Sequence, residues 1–145
     1  MARVRATDRR LFLLIEVAAR RLNREADMRL KAEARVTAAQ AAVLFLLKRR
    51  GERRMGAIGE VLALNPPAVT GLISRMEAAN LVTRHSDPDD KRSSVVALTE
   101  AGRQAGEIAE IILRDFNQEI AERIGPDSAD EVYDALTRLV RDDEL

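Results

Sequence analysis

Residues 81–102 constrain this chain more than any other stretch. Asp87-Pro88-Asp89-Asp90-Lys91-Arg92 is built from turn-forming residues, acidic first and basic at its end. On either side lie two runs that favour extended backbone, 81–86 with Val82 and 93–98 with Val95 and Val96. The second run leads into Leu98-Thr99-Glu100-Ala101-Gly102, where the Thr99 hydroxyl is placed to cap a helix. The order is strand, charged tip, strand, helix start. Such a chain holds a basic finger out from its body on two short strands, within reach of a phosphate or a groove.

A helix-turn-helix is predicted just upstream. A short helix at 55–63 turns Ile58, Val61 and Leu62 inward. Leu64-Asn65-Pro66-Pro67 then breaks the chain, with Asn65 as a cap and proline tolerated in the first helical turn, where its missing N–H has no partner to lose. The next helix, 66–79, commits Val69, Leu72, Ile73 and Met76 to packing, and Asn80 follows where a left-handed residue is wanted. Two short helices joined by a tight turn are the motif that places its second helix in the major groove. The outer face of 66–79 offers Pro67, Ala68, Thr70, Gly71, Ser74 and Arg75. Small residues admit close approach to base edges, Thr70 and Ser74 can bond bases or phosphates, and Arg75 can reach guanine or phosphate. Arg92 suits a narrow minor groove, whose negative potential favours guanidinium, and Lys91 beside it is a further DNA-binding candidate. Asp90 is expected to hold Arg92 extended through an ion pair. Taken singly, 66–79 also reads as a plain surface helix and 87–92 as a solvated turn. Their succession within one short module favours DNA.

The flanks read as helix. Apolar positions Leu11, Leu14, Ile15, Ala18, Ala19, Leu22 and Ala26 follow helical spacing across 8–31, with Thr7 or Asp8 as cap. Thr37-Ala38-Ala39-Gln40 is a capping box opening a helix at 38–50, which ends in Lys48-Arg49-Arg50-Gly51. These cations, with Arg53 and Arg54, serve either phosphates or solubility. Thr99 opens a helix to about 123 with Ile108, Ile111, Ile112, Phe116 and Ile120 as its stripe; Gly125-Pro126-Asp127 interrupts it, and a last helix spans 128–141. At 1.5 Å per residue the stretches 8–31 and 103–123 run roughly 35 and 30 Å. They overreach a small module, and their stripes need a second surface that another copy supplies. The expected fold class is mainly α with a small β-wing. One domain, 1–145, holds a winged helix-turn-helix module at 37–99 (wing 82–98) and a helical dimerisation region at 8–31 and 104–141.

Composition closes other routes. The chain has 145 residues, 46% of them hydrophobic and 33% charged, which suits one globular domain. No run of about 18 apolar residues exists, so no membrane partner is expected. The basic start and the short apolar run after it do not make a signal peptide, so a cytoplasmic, nucleoid-associated protein is expected. With no cysteine, disulfides and thiol-based sensing are excluded. One histidine, no metal-ligand spacing and no phosphate-binding glycine loop disfavour an enzyme, so no catalytic residue, metal or cofactor is expected. Net charge is zero but unevenly spread. Residues 1–103 carry 20 Lys+Arg against 12 Asp+Glu, and 104–145 carry 4 against 12. A basic body suits a polyanion, while a solvated acidic helix explains the tail equally well.

Leu81-Val82-Thr83-Arg84-His85-Ser86-Asp87-Pro88-Asp89-Asp90-Lys91-Arg92 followed by Val96-Ala97-Leu98-Thr99-Glu100-Ala101-Gly102, together with Thr37-Ala38-Ala39-Gln40, resembles the MarR family of bacterial transcription regulators. The resemblance covers about 10–140. It implies a homodimer that grips a palindromic double-stranded operator, usually as a repressor. It puts Thr70, Ser74 and Arg75 at the major groove and Arg92 at the minor groove, with Asp90 orienting it. It also implies release by a small aromatic or phenolic anion, for which Leu13, Val17, Arg20, Arg21 and Phe45 are candidate neighbours. Those five read more simply as ordinary core and surface residues, and Arg20 and Arg21 equally as interface partners of the acidic tail. Pro66, Pro67 and Ala68 stand where the family often has hydroxyl residues, which points to different base preference or more shape readout. The rival expectation is a helical dimeric interaction protein that keeps the fold without specific DNA binding.

Overall fold

Side-chain caps set three of the helix starts in the computed structural model, which describes Arg5 and residues 9–140. The order is α1 (Leu11–Glu33), α2 (Ala38–Arg50), β1 (Arg53–Arg54), α3 (Met55–Leu62), α4 (Pro66–Ala78), β2 (Val82–Ser86), β3 (Ser94–Leu98), α5 (Glu100–Ile124) and α6 (Pro126–Thr137). The capping box before α2 is complete: Gln40 N–H donates to the Thr37 hydroxyl at 3.1 Å, and Thr37 N–H donates to the Gln40 amide oxygen at 3.0 Å. Asp27 adds a long-range cap by accepting from Ala38 N–H at 2.7 Å, which fixes α1 against the start of α2.

Helix boundaries differ from expectation at several places: α1 ends at Glu33 rather than 31, and α6 ends at Thr137 rather than 141, which leaves Leu139 and Val140 beyond it. α1 begins at Leu11, three residues later than predicted, after Arg10 in left-handed backbone with no side-chain cap. The expected caps Thr7 and Asp8 lie outside the described residues, as does the acidic stretch Asp142-Asp143-Glu144. α6 begins two residues early because Pro126 takes its first position, where proline is pre-shaped for a helix.

A three-stranded antiparallel sheet, in the order β1-β3-β2, takes the place of the expected two-stranded wing. β1 pairs Arg53 with Val96 and Arg54 with Val95; β2 pairs Val82 with Leu98 through Ser86 with Ser94. A two-residue strand of arginines carries no alternation of apolar residues, which is why the sequence did not reveal it.

The core sits where α2, α3, α4 and the sheet meet. Leu44, Ile58, Ile73, Met76 and Val96 are fully buried there, and α1 and α5 close it with Leu30, Ala109 and Phe116. Ile58 is buried as expected, while Val61 and Leu62 are only half-buried. α1 and α5 are further joined at their surfaces: Arg29 donates to Glu119 at 2.5 Å and lies 4.5 Å over the Phe116 ring, and Arg123 pairs with Glu25 at 2.9 Å. The hydrogen bond from Arg29 holds the Glu119 carboxyl below its ordinary range.

Candidate DNA interface

α3 and α4 meet at a 111° bend. The turn between them runs through Ala63, in left-handed backbone at φ 54°, and Asn65, whose side chain accepts from Ala68 N–H at 2.9 Å. Val69, Leu72, Ile73 and Met76 all point into the core. The opposite face is therefore forced outward: Pro67, Ala68, Thr70, Ser74 and Arg75 are exposed and Gly71 is half-buried. The Thr70 hydroxyl donates to Pro66 O at 3.0 Å, which leaves its lone pairs free to accept from a base or amide donor. The Arg75 guanidinium stands over Gly71, 3.3 Å from where a β-carbon there would lie. Asn80 has φ 59°, the left-handed conformation expected after α4.

The wing tip is held by its own aspartates. Asp90 accepts from Arg92 N–H at 3.0 Å and from the Ser93 hydroxyl at 3.2 Å, while its carbonyl accepts from Ser93 N–H at 2.9 Å. The expected ion pair between Asp90 and the Arg92 guanidinium is replaced by this backbone bond. Asp90 shapes the chain under Arg92 and leaves its side chain, like that of Lys91, exposed.

Asp87 was not among the predicted site residues, yet it is the only charged residue buried among those described, at 5% exposure. Its Oδ1 accepts from Asp89 N–H at 2.9 Å and its Oδ2 meets Arg54 Nε at 2.5 Å. The Asp89 N–H bond and the Arg54 guanidinium hold its carboxyl below the ordinary value against burial, which pushes it up. A low-exposure aspartate needs such partners to stay ionised. The basic cluster is thus partly committed within the protein: Arg54 to Asp87, and Lys48 to Glu110 at 2.9 Å.

α3, the start of α4 and the wing enclose a groove of about 890 Å³. Thr70 and Arg92 both line it, with Arg54, Pro66 and Ser94. The fold thus brings a residue of the outer helix face and the wing arginine, 22 positions apart in sequence, to one opening. The five candidate effector residues are not gathered in this way. Phe45 lines a separate cleft of about 790 Å³ with Glu110, Leu113, Arg114, Asn117 and Gln118. Leu13, Val17, Arg20 and Arg21 lie exposed along α1, where Arg20 pairs with Glu16 one turn away. His85 stands 3.9 Å from Glu52 on the wing's outer strand, half-exposed. Among the described residues no group of His, Asp and Glu side chains is arranged to hold a metal ion, and no single helix is long and apolar enough to cross a membrane.

The pattern that defines the MarR family matches residues 36–94, the stretch from the α2 capping box to the start of β3. The whole fold is similar to that of a mutant MarR from E. coli complexed with operator DNA, with a TM-score of 0.79, 25% identity, and 89% of this chain and 92% of that one covered. Residues 36–94 thus carry the MarR pattern, and the fold around them is MarR-like. MarR proteins are winged helix-turn-helix, DNA-binding transcription regulators and not enzymes. Among curated relatives, the HTH-type transcriptional repressor MdtR of Bacillus subtilis is 37% identical over 67 residues, 46% of this chain and 43% of that protein. The chain thus matches less than half of that relative's length. The regulator MhqR of the same organism is 28% identical over 132 residues, 91% of this chain and 88% of that protein.

Proposed function

We propose that this chain is a cytoplasmic, nucleoid-associated repressor of the MarR family that binds a pseudo-palindromic DNA operator as a homodimer. The observation that carries this is the shared groove: Thr70 on the outer face of α4 and Arg92 on the wing front one opening. A helix presenting Thr70, Ser74 and Arg75 reads the major groove while Arg92 enters the adjacent minor groove. The operator complex of E. coli MarR supports the DNA reading, and the repressor MdtR supports the sign of regulation.

Dimerisation is supported by what the single chain leaves uncovered. Phe12 is 78% exposed on α1 and Tyr133 65% exposed on α6, and Leu11, Leu14, Ile111 and Leu136 join them. Apolar surface on that scale marks an interface. A two-fold axis through these helices presents two winged modules about one helical turn of DNA apart. The cleft beside Phe45 sets an aromatic ring near Arg114, Asn117 and Gln118. Such a pairing suits a small aromatic or phenolic anion, the effector class that would release the DNA.

The deciding experiment is a gel shift on DNA flanking the chain's own gene, with Arg92→Ala alongside. The expected result is a specific complex weakened by about 1–3 kcal/mol in the variant, with the dimer intact. Log affinity should fall steeply with log salt as phosphate counterions are released. Equal binding by the variant, or a flat salt dependence, would overturn the wing-and-helix reading.

A further inference from the structure

We infer that the Arg54–Asp87 ion pair is a positioning element that sets where the wing tip, and with it Arg92, stands relative to the helix-turn-helix. The inference rests on the DNA-binding reading above and goes past it to a residue pair that touches no base.

Three observations carry it. The tip is rigid within itself, because Asp90 and Ser93 direct their bonds back into residues 90–93. Asp87 then joins that tip to the body. Its N–H donates to Ser93 O at 3.0 Å, closing the hairpin, and one carboxylate oxygen holds Asp89 N–H while the other leaves the tip to meet Arg54. Arg54 is the last residue of β1 and the N-cap residue of α3, the first helix of the helix-turn-helix. The guanidinium therefore spans the seam between the two DNA-facing parts, and Arg54 and Arg92 line the same groove. β1 adds only two residues of pairing to the sheet, so the strand ladder alone ties α3 weakly to the hairpin.

The inference makes a prediction whose sign opposes simple electrostatics. Asp87→Asn removes a negative charge from just beneath the proposed DNA-facing surface and frees the Arg54 cation, which by itself strengthens binding to a polyanion. As a positioning change it weakens binding instead. The test is a double-mutant cycle on operator affinity with Asp87→Asn, Arg92→Ala and both together. The expected result is a loss of about tenfold from Asp87→Asn alone and less than about twofold when Arg92 is already alanine. The same loss in both backgrounds, or a gain in affinity, would overturn it.

A readout that needs no DNA accompanies the cycle. Amide hydrogen exchange of the free protein should speed up across 89–93 in Asp87→Asn and stay unchanged in α4. Uniform speeding of both would mark a general loss of fold and overturn the positioning role. Should Asp87→Asn not fold, Arg54→Gln opens the same link from its half-exposed side, and the same cycle and exchange measurement are read. If the parent protein binds no specific DNA, the operator reading fails outright, whereas additivity in the cycle removes the positioning role alone.

Discussion

α2 buries Ala41, Val43, Leu44, Leu46 and Leu47, whereas α6, only one residue shorter, buries none of its side chains. α5 stands between the two. Near its start Gly102, Gly106 and Ala109 lie against the module, while Ile111 and Ile124 further along are exposed. The same apolar composition thus serves two purposes along one chain. The winged module buries most of its apolar side chains, in a core that α1 and α5 close. The arms, α1, α5 and α6, bury only part of theirs and leave the rest uncovered. A domain's own folding stops where the exposed stripes begin, and beyond that point association has to supply the burial.

The sharpest way to break this contrast is to charge the arms. Leu14→Glu with Leu136→Glu buries carboxylates in the proposed interface at a cost of about 3–5 kcal/mol. Sedimentation equilibrium should then find a monomer at concentrations where the parent is dimeric; a dimer of unchanged affinity would mean that the arms do not associate. Next in size is the module itself. Leu44→Ala opens a cavity in a fully closed core and should lower unfolding free energy in denaturant titration by about 2–5 kcal/mol. A loss comparable to an exposed-site change would show that the module's core is not tightly closed.

The junction between module and arm is probed by Gly102→Ala. A β-carbon at that position would lie 1.9 Å from the Leu81 carbonyl oxygen, so α5 must shift, at about 1–3 kcal/mol in thermal or chemical unfolding. A neutral substitution would mean that the junction yields freely. The smallest expected effect is on pH. Asp87 in the module and Glu119 in the arms both have lowered carboxyl values. A lowered folded value gives stability that is present above the unfolded value and lost as pH falls through the folded one. Melting temperature should therefore hold down to the ordinary carboxylate range and fall below about pH 4. Asp87→Asn and Glu119→Gln should each flatten that fall, and a fall unchanged in both would assign it to other carboxylates.

Much of this was legible in the sequence because it rests on local chemistry. Thr37 with Gln40, Asn65 before two prolines, and Thr99 before Glu100 announce three helix starts whose caps all form. The period of Val69, Leu72, Ile73 and Met76 gave the buried side of α4, and by subtraction its outer face. What the sequence concealed depends on partners distant along the chain. β1 exists because Arg53 and Arg54 meet Val96 and Val95 more than 40 residues away, not because arginine favours strands. Asp87 and Asp90 look interchangeable in a run of acids, yet one is buried against Arg54 and the other turns onto Arg92 N–H. Ala63 gave no sign of left-handed backbone, since alanine is among the residues least suited to it.

The meeting of Leu81 with the start of α5 has a mechanical consequence. Thr99 N–H donates to Leu81 O at 3.1 Å, the Thr99 hydroxyl donates to Asn80 O at 2.6 Å, and Gly102 packs against the same carbonyl. The end of α4, the root of the wing and the head of α5 are joined there without slack. α5 then runs about 37 Å to the far end of the arm. In the proposed dimer this makes a lever with no joint between its handle and its blade. A rotation of one arm against the other would pass undamped to the spacing of the two α4 helices, so that a ligand seated along α5 would be felt on DNA as a misfit of distance.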